Sequence, residues 1–383
     1  MSKIICLDIS VLNDKNRTGV GVYTYQLIKA LLKNNKKDKF ILFGFATFQT
    51  YDYLRNIEFK NYPNVSLKIY KMPAKLFRTS FLLWQKMNWP KIENFVGLID
   101  IFHSFNWNLP PVKNAKLVAT VFDMTPILFP KYHLEKTIQL DKVRLNRIKR
   151  YADLVITISE NSKKDFLKFA PNRKVEVIYP GVSDNFLKKI NKKKTEQILK
   201  KYNLQSGYVL SVGTLEPRKN IERIIQAFTE LASQGQALRG CKLVIVGRRG
   251  WLADNIYKLP EKLGIKNKVK FLGRVEDEDL PYLYNQASCL IYPSLYEGFG
   301  IPVLEAQASG CPVITSDTSS LPEVGGDAVL YIDPNSSGNL ISALERIKNQ
   351  EFRIKLIKKG LEQAKKFSWE KSAKKLNSLY QQL

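Results

Sequence analysis

Two carboxylates with seven residues between them, Glu297 and Glu305, frame the stretch of this chain best suited to chemistry, Tyr292-Pro-Ser-Leu-Tyr-Glu-Gly-Phe-Gly-Ile-Pro-Val-Leu-Glu-Ala-Gln-Ala-Ser-Gly310. Gly298 and Gly300 let backbone approach a ligand closely, and the amides of Phe299, Gly300 and Ile301 would point out of a helix N-terminus, which makes an anion site. Glu297 would repel a phosphate there unless it faces a neutral, hydroxyl-rich or transiently cationic group. Glu305, one turn into the helix, could accept from a pair of hydroxyls. Amides for a diphosphate, one carboxylate for a sugar and one for a ribose together describe a nucleotide-sugar site. The plainer alternative is a solvated Glu before a turn and a first-turn Glu favoured by the helix dipole, worth ~0.3–1 kcal/mol. For either Glu taken alone, that alternative is preferred.

Cations for the same anion stand in Gly213-Thr-Leu-Glu-Pro-Arg-Lys-Asn220. Arg218 can grip a phosphate through its planar fork and Lys219 as a point charge, and both emerge at a helix start. Two adjacent bases are usually solvated, but this pair follows a strand and would lie opposite the Gly300 amides. In the first half, Gly19 and Gly21 of Arg17-Thr-Gly-Val-Gly21 lie between a strand and a helical pattern, a weak phosphate-approach arrangement without the third glycine of a dinucleotide fingerprint. His103 directly follows a strand, at the edge where open parallel sheets bind ligands. A histidine bonded to backbone is an equal alternative.

The elements that must position these residues are legible as apolar runs. Strands are expected at 4–7, 40–43, 65–69, 99–102, 117–121, 154–158 and 175–178, then at 208–212, 242–246, 269–272, 289–292, 312–315 and 329–332, with helical segments between them. Alternation of this kind gives parallel, doubly wound α/β sheets, here twice. Pro302 near the start and Gly310 past the end predict a helix over about 301–309. Tyr179-Pro-Gly-Val182, followed by the basic run Lys188-Lys-Ile-Asn-Lys-Lys-Lys194, marks a domain boundary. The expected domains are 1–182 and 183–366, with a last helix in 367–383.

With these motifs assembled, the sequence resembles the family 4 retaining glycosyltransferases of GT-B fold, in which two Rossmann-like domains face across a cleft. The resemblance is carried by the E-x7-E stretch, by Ser211-Val-Gly-Thr-Leu-Glu-Pro-Arg-Lys-Asn220, by Leu243-Val-Ile-Val-Gly-Arg-Arg-Gly-Trp251 and by Phe367-Ser-Trp-Glu370. It implies transfer of a hexose from a nucleoside diphosphate sugar, bound by the second domain, to a saccharide or lipid-linked saccharide held by the first, in surface polysaccharide or lipopolysaccharide synthesis. Glu297, His103 and Asp123 are the expected catalytic residues. Gly19, Gly21, Gly213, Arg218, Lys219, Arg248, Arg274, Gly298, Phe299, Gly300, Ile301 and Glu305 are expected to bind donor, Arg248 and Arg274 near the base. Phe122 stands where the family often carries a histidine, which leaves Asp123 to touch a sugar hydroxyl. The variants resemble bacterial mannosyltransferases, so GDP-mannose is the donor first expected and a UDP-sugar the second. No cofactor or metal is expected to be required, since no D-x-D element is flanked by a strand. The last helix is expected to cross back onto the first domain.

Composition bounds the alternatives. At 383 residues and 44% hydrophobic content, two globular domains of ~150 residues fit with material to spare. Four scattered cysteines and two histidines give poor metal or disulfide readings and suit a reduced, cytoplasmic compartment. The net charge of +26 calls for an anionic partner. A nucleic-acid-binding protein is one rival reading, disfavoured because the bases are spread over both halves and no nucleic-acid motif appears. A non-catalytic nucleotide-sugar-binding module is another. The first 180 residues hold 30 bases against 14 acids, a surplus of 16. They also contain an aromatic and basic stretch, 77–91, with Phe77, Arg78, Phe81, Leu82, Trp84, Lys86, Trp89 and Lys91. This predicts peripheral docking on the cytoplasmic face of the inner membrane, provided that the aromatics lie at the surface.

Overall fold

The computed structural model describes residues 2–15, 17–73, 83–84, 86–105, 109–233 and 241–383. The chain divides into two compact units, one of Met1–Gly181 with Ser368–Leu383 and the other of Val182–Phe367. The expected doubly wound parallel α/β architecture is what each unit adopts.

The first unit holds a seven-stranded parallel sheet in the order β3-β2-β1-β4-β5-β6-β7. Its strands are β1 (Ile4–Asp8), β2 (Lys39–Ala46), β3 (Val65–Lys71), β4 (Ile101–Ser104), β5 (Lys116–Val121), β6 (Leu154–Thr157) and β7 (Val175–Val177). The central strands are apolar on both faces because helices cover both, and Cys6, Phe43, Phe102, Leu117 and Val155 meet in one buried cluster. Helix α1 (Gly19–Asn34) begins three residues earlier than the apolar pattern from Val22 suggests, so Gly19 and Gly21 lie in its first turn and not in a loop before it.

Helix Trp369–Gln381 belongs to this first unit, as the resemblance implied. Trp369 packs edge-on against Tyr23 of α1, Ser372 donates to the Tyr179 carbonyl at 2.6 Å, and Gln381 reaches Asp38 at 2.7 Å. The return of the chain is so tight at Gly181 that a Cβ there would stand 2.2 Å from the Trp369 backbone nitrogen. No other residue type fits without a shift of the backbone.

Of the aromatic stretch, Phe77, Arg78, Phe81 and Leu82 lie outside the described residues. Trp84 does not serve a surface: it is 9% exposed, packs edge-on against Phe45 and Phe95, and donates its indole N–H to the Pro90 carbonyl. An indole that can satisfy its one donor locally loses little by entering the core. Trp89, at 65% exposure, stays outside together with Leu83, Lys86 and Met87. Among the described residues no helix is long and apolar enough to cross a membrane.

The second unit has a six-stranded parallel sheet in the order β10-β9-β8-β11-β12-β13. The strands are β8 (Val209–Val212), β9 (Leu243–Val246), β10 (Val269–Gly273), β11 (Cys289–Tyr292), β12 (Val313–Ser316) and β13 (Leu330–Ile332). All strands of both sheets fall where the apolar runs predict them, within two residues at their ends except at β2, which continues three residues past Phe43 to Ala46. From β8 the chain winds outward to β9 and β10, then returns to the other side of β8 with β11. The order therefore reverses between β8 and β11, and at such a point two adjacent loops diverge at the carboxyl edge and leave a crevice.

Candidate active site

At that crevice the second unit brings together Glu216, Arg218, Lys219 and Glu297. Beyond β8 the chain runs through Gly213 to a single turn, Pro217–Lys219, and the helix Ile221–Ser233. Beyond β11 it runs through Glu297 to the helix Ile301–Ala308, which ends one residue short of the expected Ser309. The two loops are tied together by the Leu295 amide on the Arg218 carbonyl at 2.9 Å and by Asn220 on the Pro293 carbonyl at 3.2 Å.

Gly300 caps the helix with φ +110°, and a Cβ there would meet Leu321 at 2.8 Å, so the position requires glycine. Ile301 is the first helical residue and Pro302 the second. The Ser320 hydroxyl spans the carbonyls of Glu297 at 2.9 Å and Phe299 at 2.8 Å, which fixes the loop. The Phe299 ring is buried against Phe367, so only its backbone can serve a ligand. Gly298 is buried in the same loop.

Glu297 is the hub. Its Oε2 lies 2.8 Å from an Arg218 nitrogen and its Oε1 lies 2.6 Å from Lys219 Nζ. The Tyr292 hydroxyl completes a triangle, 2.8 Å from Glu297 Oε1 and 2.6 Å from Lys219 Nζ. Arg218 is held from its other side by the buried carboxylate of Glu216. Burial by itself would raise the Glu297 carboxyl, but the two cations outweigh it and hold the group at about 2. Burial pushes the Lys219 ammonium down, against the pull of Glu297. Two cations and two carboxylates make the cluster neutral as it stands.

Glu305 sits in a different environment one turn into the helix. Its Oε2 accepts from the Tyr284 hydroxyl at 3.0 Å, and burial pushes it up to about 8, with only partial opposition from that hydrogen bond. Two carboxylates on one loop and helix are thus driven in opposite directions, one held ionised and one held protonated at neutral pH. Arg248 and Arg274 lie exposed just past β9 and β10 on the same sheet edge, Arg274 with Asp277 at 3.4 Å. Gly213 follows β8 directly, beside the Lys219 side chain.

In the first unit the strand order reverses between β1 and β4, and the expected residues there fare unevenly. His103 is fully buried: Nδ1 is 2.5 Å from the Tyr380 hydroxyl, Nε2 is 2.8 Å from Thr120 Oγ1, and the ring stacks on Phe105. Burial pushes it down to about 3, so it is neutral, and both ring nitrogens are engaged. The expectation of a catalytic histidine gives way to a structural one that fastens the last helix to the sheet. Asp123 is half-buried and accepts from the Thr125 amide at 2.9 Å and hydroxyl at 2.6 Å, fixing the turn after β5. Gly19 and Gly21 contribute first-turn amides that have no partner within their own helix.

Sequence reasoning missed Glu216, Tyr292, Tyr284 and Asp8. Asp8 ends β1 at the reversal point, fully buried, and burial pushes its carboxyl up to about 6 against its hydrogen bonds from Ser10. An acid closing an apolar strand was the available signal. For Glu216 it was an acid two residues from Arg218. The tyrosines gave none, because their partners lie five or more residues away. Among the described residues no group of three or more His, Cys, Asp or Glu is placed to hold a metal ion.

Two family models match the chain, "Glycosyltransferase Family 4" over residues 17–186 and "Glycosyl transferases group 1" over 192–380. The chain is similar to the O-antigen chain mannosyltransferase B of Escherichia coli, with 32% identity over 364 residues that cover 92% of this chain and 93% of that one. Its fold is similar to that of sucrose-phosphate synthase from Thermosynechococcus elongatus, with a TM-score of 0.76 and 23% identity over 99% of this chain and 98% of that one. It is likewise similar to Anabaena HepE in complex with UDP and glucose, with a TM-score of 0.73 and 20% identity over the whole of both chains.

Proposed function

The chain belongs to the family 4 glycosyltransferases of GT-B fold, and from that premise we propose that it is a retaining mannosyltransferase, moving mannose from GDP-mannose to a saccharide or lipid-linked saccharide in surface polysaccharide synthesis. The observation that carries the reading is the Arg218–Glu297–Lys219 cluster at the reversal of strand order in the second unit. Two part-buried cations that share one carboxylate have their charge compensated when no ligand is present, so they can turn to a diphosphate without an unpaired charge being left in the empty site. Glu297, kept ionised, would face the sugar as it gains positive character. The leaving diphosphate would be stabilised by Arg218, Lys219 and the amides of Gly300 and Ile301, acting electrostatically. Glu305 would receive the ribose hydroxyls, Arg248 and Arg274 the base, and Asp123 a sugar hydroxyl.

The name of the O-antigen mannosyltransferase relative supports mannose, and the complex of HepE with UDP and glucose keeps a UDP-sugar as the second choice. The test is turnover on a panel of GDP-mannose, UDP-glucose and UDP-N-acetylglucosamine with a mannose-terminated acceptor, the product anomer read by NMR. Transfer from GDP-mannose with an α-linked product is the expected result. Turnover confined to a UDP-sugar removes the mannose assignment, and an inverted anomer removes retention.

A further inference from the structure

One cavity in the first unit has no part in the site just described. It has a volume of about 700 Å3 and lies between α2 (Tyr51–Arg55) and the edge strand β3. That volume is within the range of small-molecule sites. β3 presents Leu67 and Ile69 to it, half-buried, while the alternate residues Ser66 and Lys68 are exposed. The floor is thus a short apolar strip. Tyr51 forms a wall, its ring flanked by Lys71 Nζ at 4.5 Å and the Arg55 guanidinium at 5.9 Å from the centroid.

The rim is polar and of mixed sign. Asp52 and Arg55 both line the cavity, and among the described residues neither makes an ion pair, with each other or with anything else. Asn56 is pinned by donating to the Asp52 carbonyl at 2.9 Å and accepting from Lys60 Nζ at 2.9 Å. A carboxylate, a guanidinium and an amide around an aromatic wall and an aliphatic floor form the set that a pyranose requires. Planar polar groups take pairs of hydroxyls, while the ring and the aliphatic strip take the C–H face of the sugar. Lys60 lines the cavity as well, so Asp52 stands among two cations, and a phosphate bound there would meet that carboxylate along with them.

We propose that this groove is a second saccharide-binding site, which holds part of a glycan acceptor remote from the sugar being extended. It rests on the proposed reading of the enzyme as one that extends a saccharide. Nothing in it calls for the donor residues. An acceptor that engages here would bind more tightly the longer it is, up to the length that fills the groove.

The test titrates the full-length protein with α-linked mannose, mannotriose and mannohexaose, and with vesicles containing phosphatidylglycerol. Wild type is compared with Tyr51→Ala and Asp52→Asn. Mannohexaose affinity is expected to fall about tenfold in each variant, the loss of one well-made contact, while affinity for GDP and the rate of transfer to a monosaccharide acceptor stay unchanged. Asp52→Asn is an exposed conservative change, so it keeps the test valid should Tyr51→Ala fold poorly. Equal mannohexaose affinity in wild type and both variants overturns the groove, and so does a loss of vesicle binding alone, which would mark a lipid-headgroup surface. Failure of wild type to transfer sugar to any saccharide removes the reading on which the groove rests, yet a Tyr51-dependent loss of mannohexaose binding would still establish it.

Discussion

Glu297 and Glu305 show how burial and neighbours assign two identical side chains opposite states. Held between Arg218 and Lys219, which bring its carboxyl down to about 2, Glu297 is ionised at neutral pH. Loss of either cation leaves the other with a carboxylate it no longer shares, so Arg218→Ala or Lys219→Ala is expected to weaken nucleotide binding by about 1.5–3 kcal/mol, the range for charged hydrogen bonds. Calorimetric titration with GDP measures this, and unchanged affinity in both variants would remove the cluster from the donor site. Glu297→Gln should lower kcat with little change in nucleotide affinity, whereas Glu305→Gln should weaken donor and free nucleotide alike. Glu305 also predicts a pH dependence of stability. Its carboxyl is raised from 4.5 to about 8 in the folded protein, so its contribution to stability is full below pH 4.5 and is lost as the pH rises through 8. Asp8, raised to about 6, adds a loss that ends near that pH, and His103, lowered from 6.5 to about 3, acts in the opposite sense and below 6.5. Of these three groups, only Glu305 titrates in the window from 6.5 to 8. The melting temperature of the ligand-free protein should decline across it, and Glu305→Gln should flatten the decline.

At the scale of elements, the strands of both sheets were legible because a strand buried on both faces is a plain apolar run, as in Leu154-Val-Ile-Thr157 and Cys289-Leu-Ile-Tyr292. Helix Ile301–Ala308 was legible through proline at its start and glycine after its end. What could not be read were side-chain partnerships across long separations. His103 stands at a ligand-binding edge by its sequence position, yet its partners are Thr120 and Tyr380, the latter 277 residues away. Trp84 sits among bases and aromatics and still turns inward, because the Pro90 carbonyl can take its N–H. The histidine's role as a fastener is testable. Tyr380→Phe removes one partner of a buried ring nitrogen, and leaving such a group unsatisfied costs about 1–3 kcal/mol. Denaturant unfolding should report that loss while kcat per folded molecule stays at the wild-type value. A fall in kcat with unchanged stability would return His103 to catalysis.

At the scale of the whole molecule, the surplus of bases in the first 180 residues remains the property that the donor site alone does not explain. With Trp84 in the core, what the described part of the aromatic stretch offers a membrane is Leu83, Lys86, Met87 and Trp89, all exposed. Bases near an anionic leaflet contribute about 1 kcal/mol each and are screened by salt, whereas an inserted indole adds an apolar term that salt leaves intact. The two tryptophans therefore make opposite predictions. Trp89→Ala should keep wild-type stability and lose the salt-resistant part of co-sedimentation with phosphatidylglycerol vesicles. Trp84→Ala should lower stability by about 3–5 kcal/mol, the cost of emptying a packed aromatic site, while any Trp84→Ala protein that remains folded should bind vesicles as wild type does. If Trp89→Ala binds vesicles as wild type does, or if wild type does not bind at low salt, the positive surface serves some other anionic partner, and a soluble saccharide becomes the better acceptor.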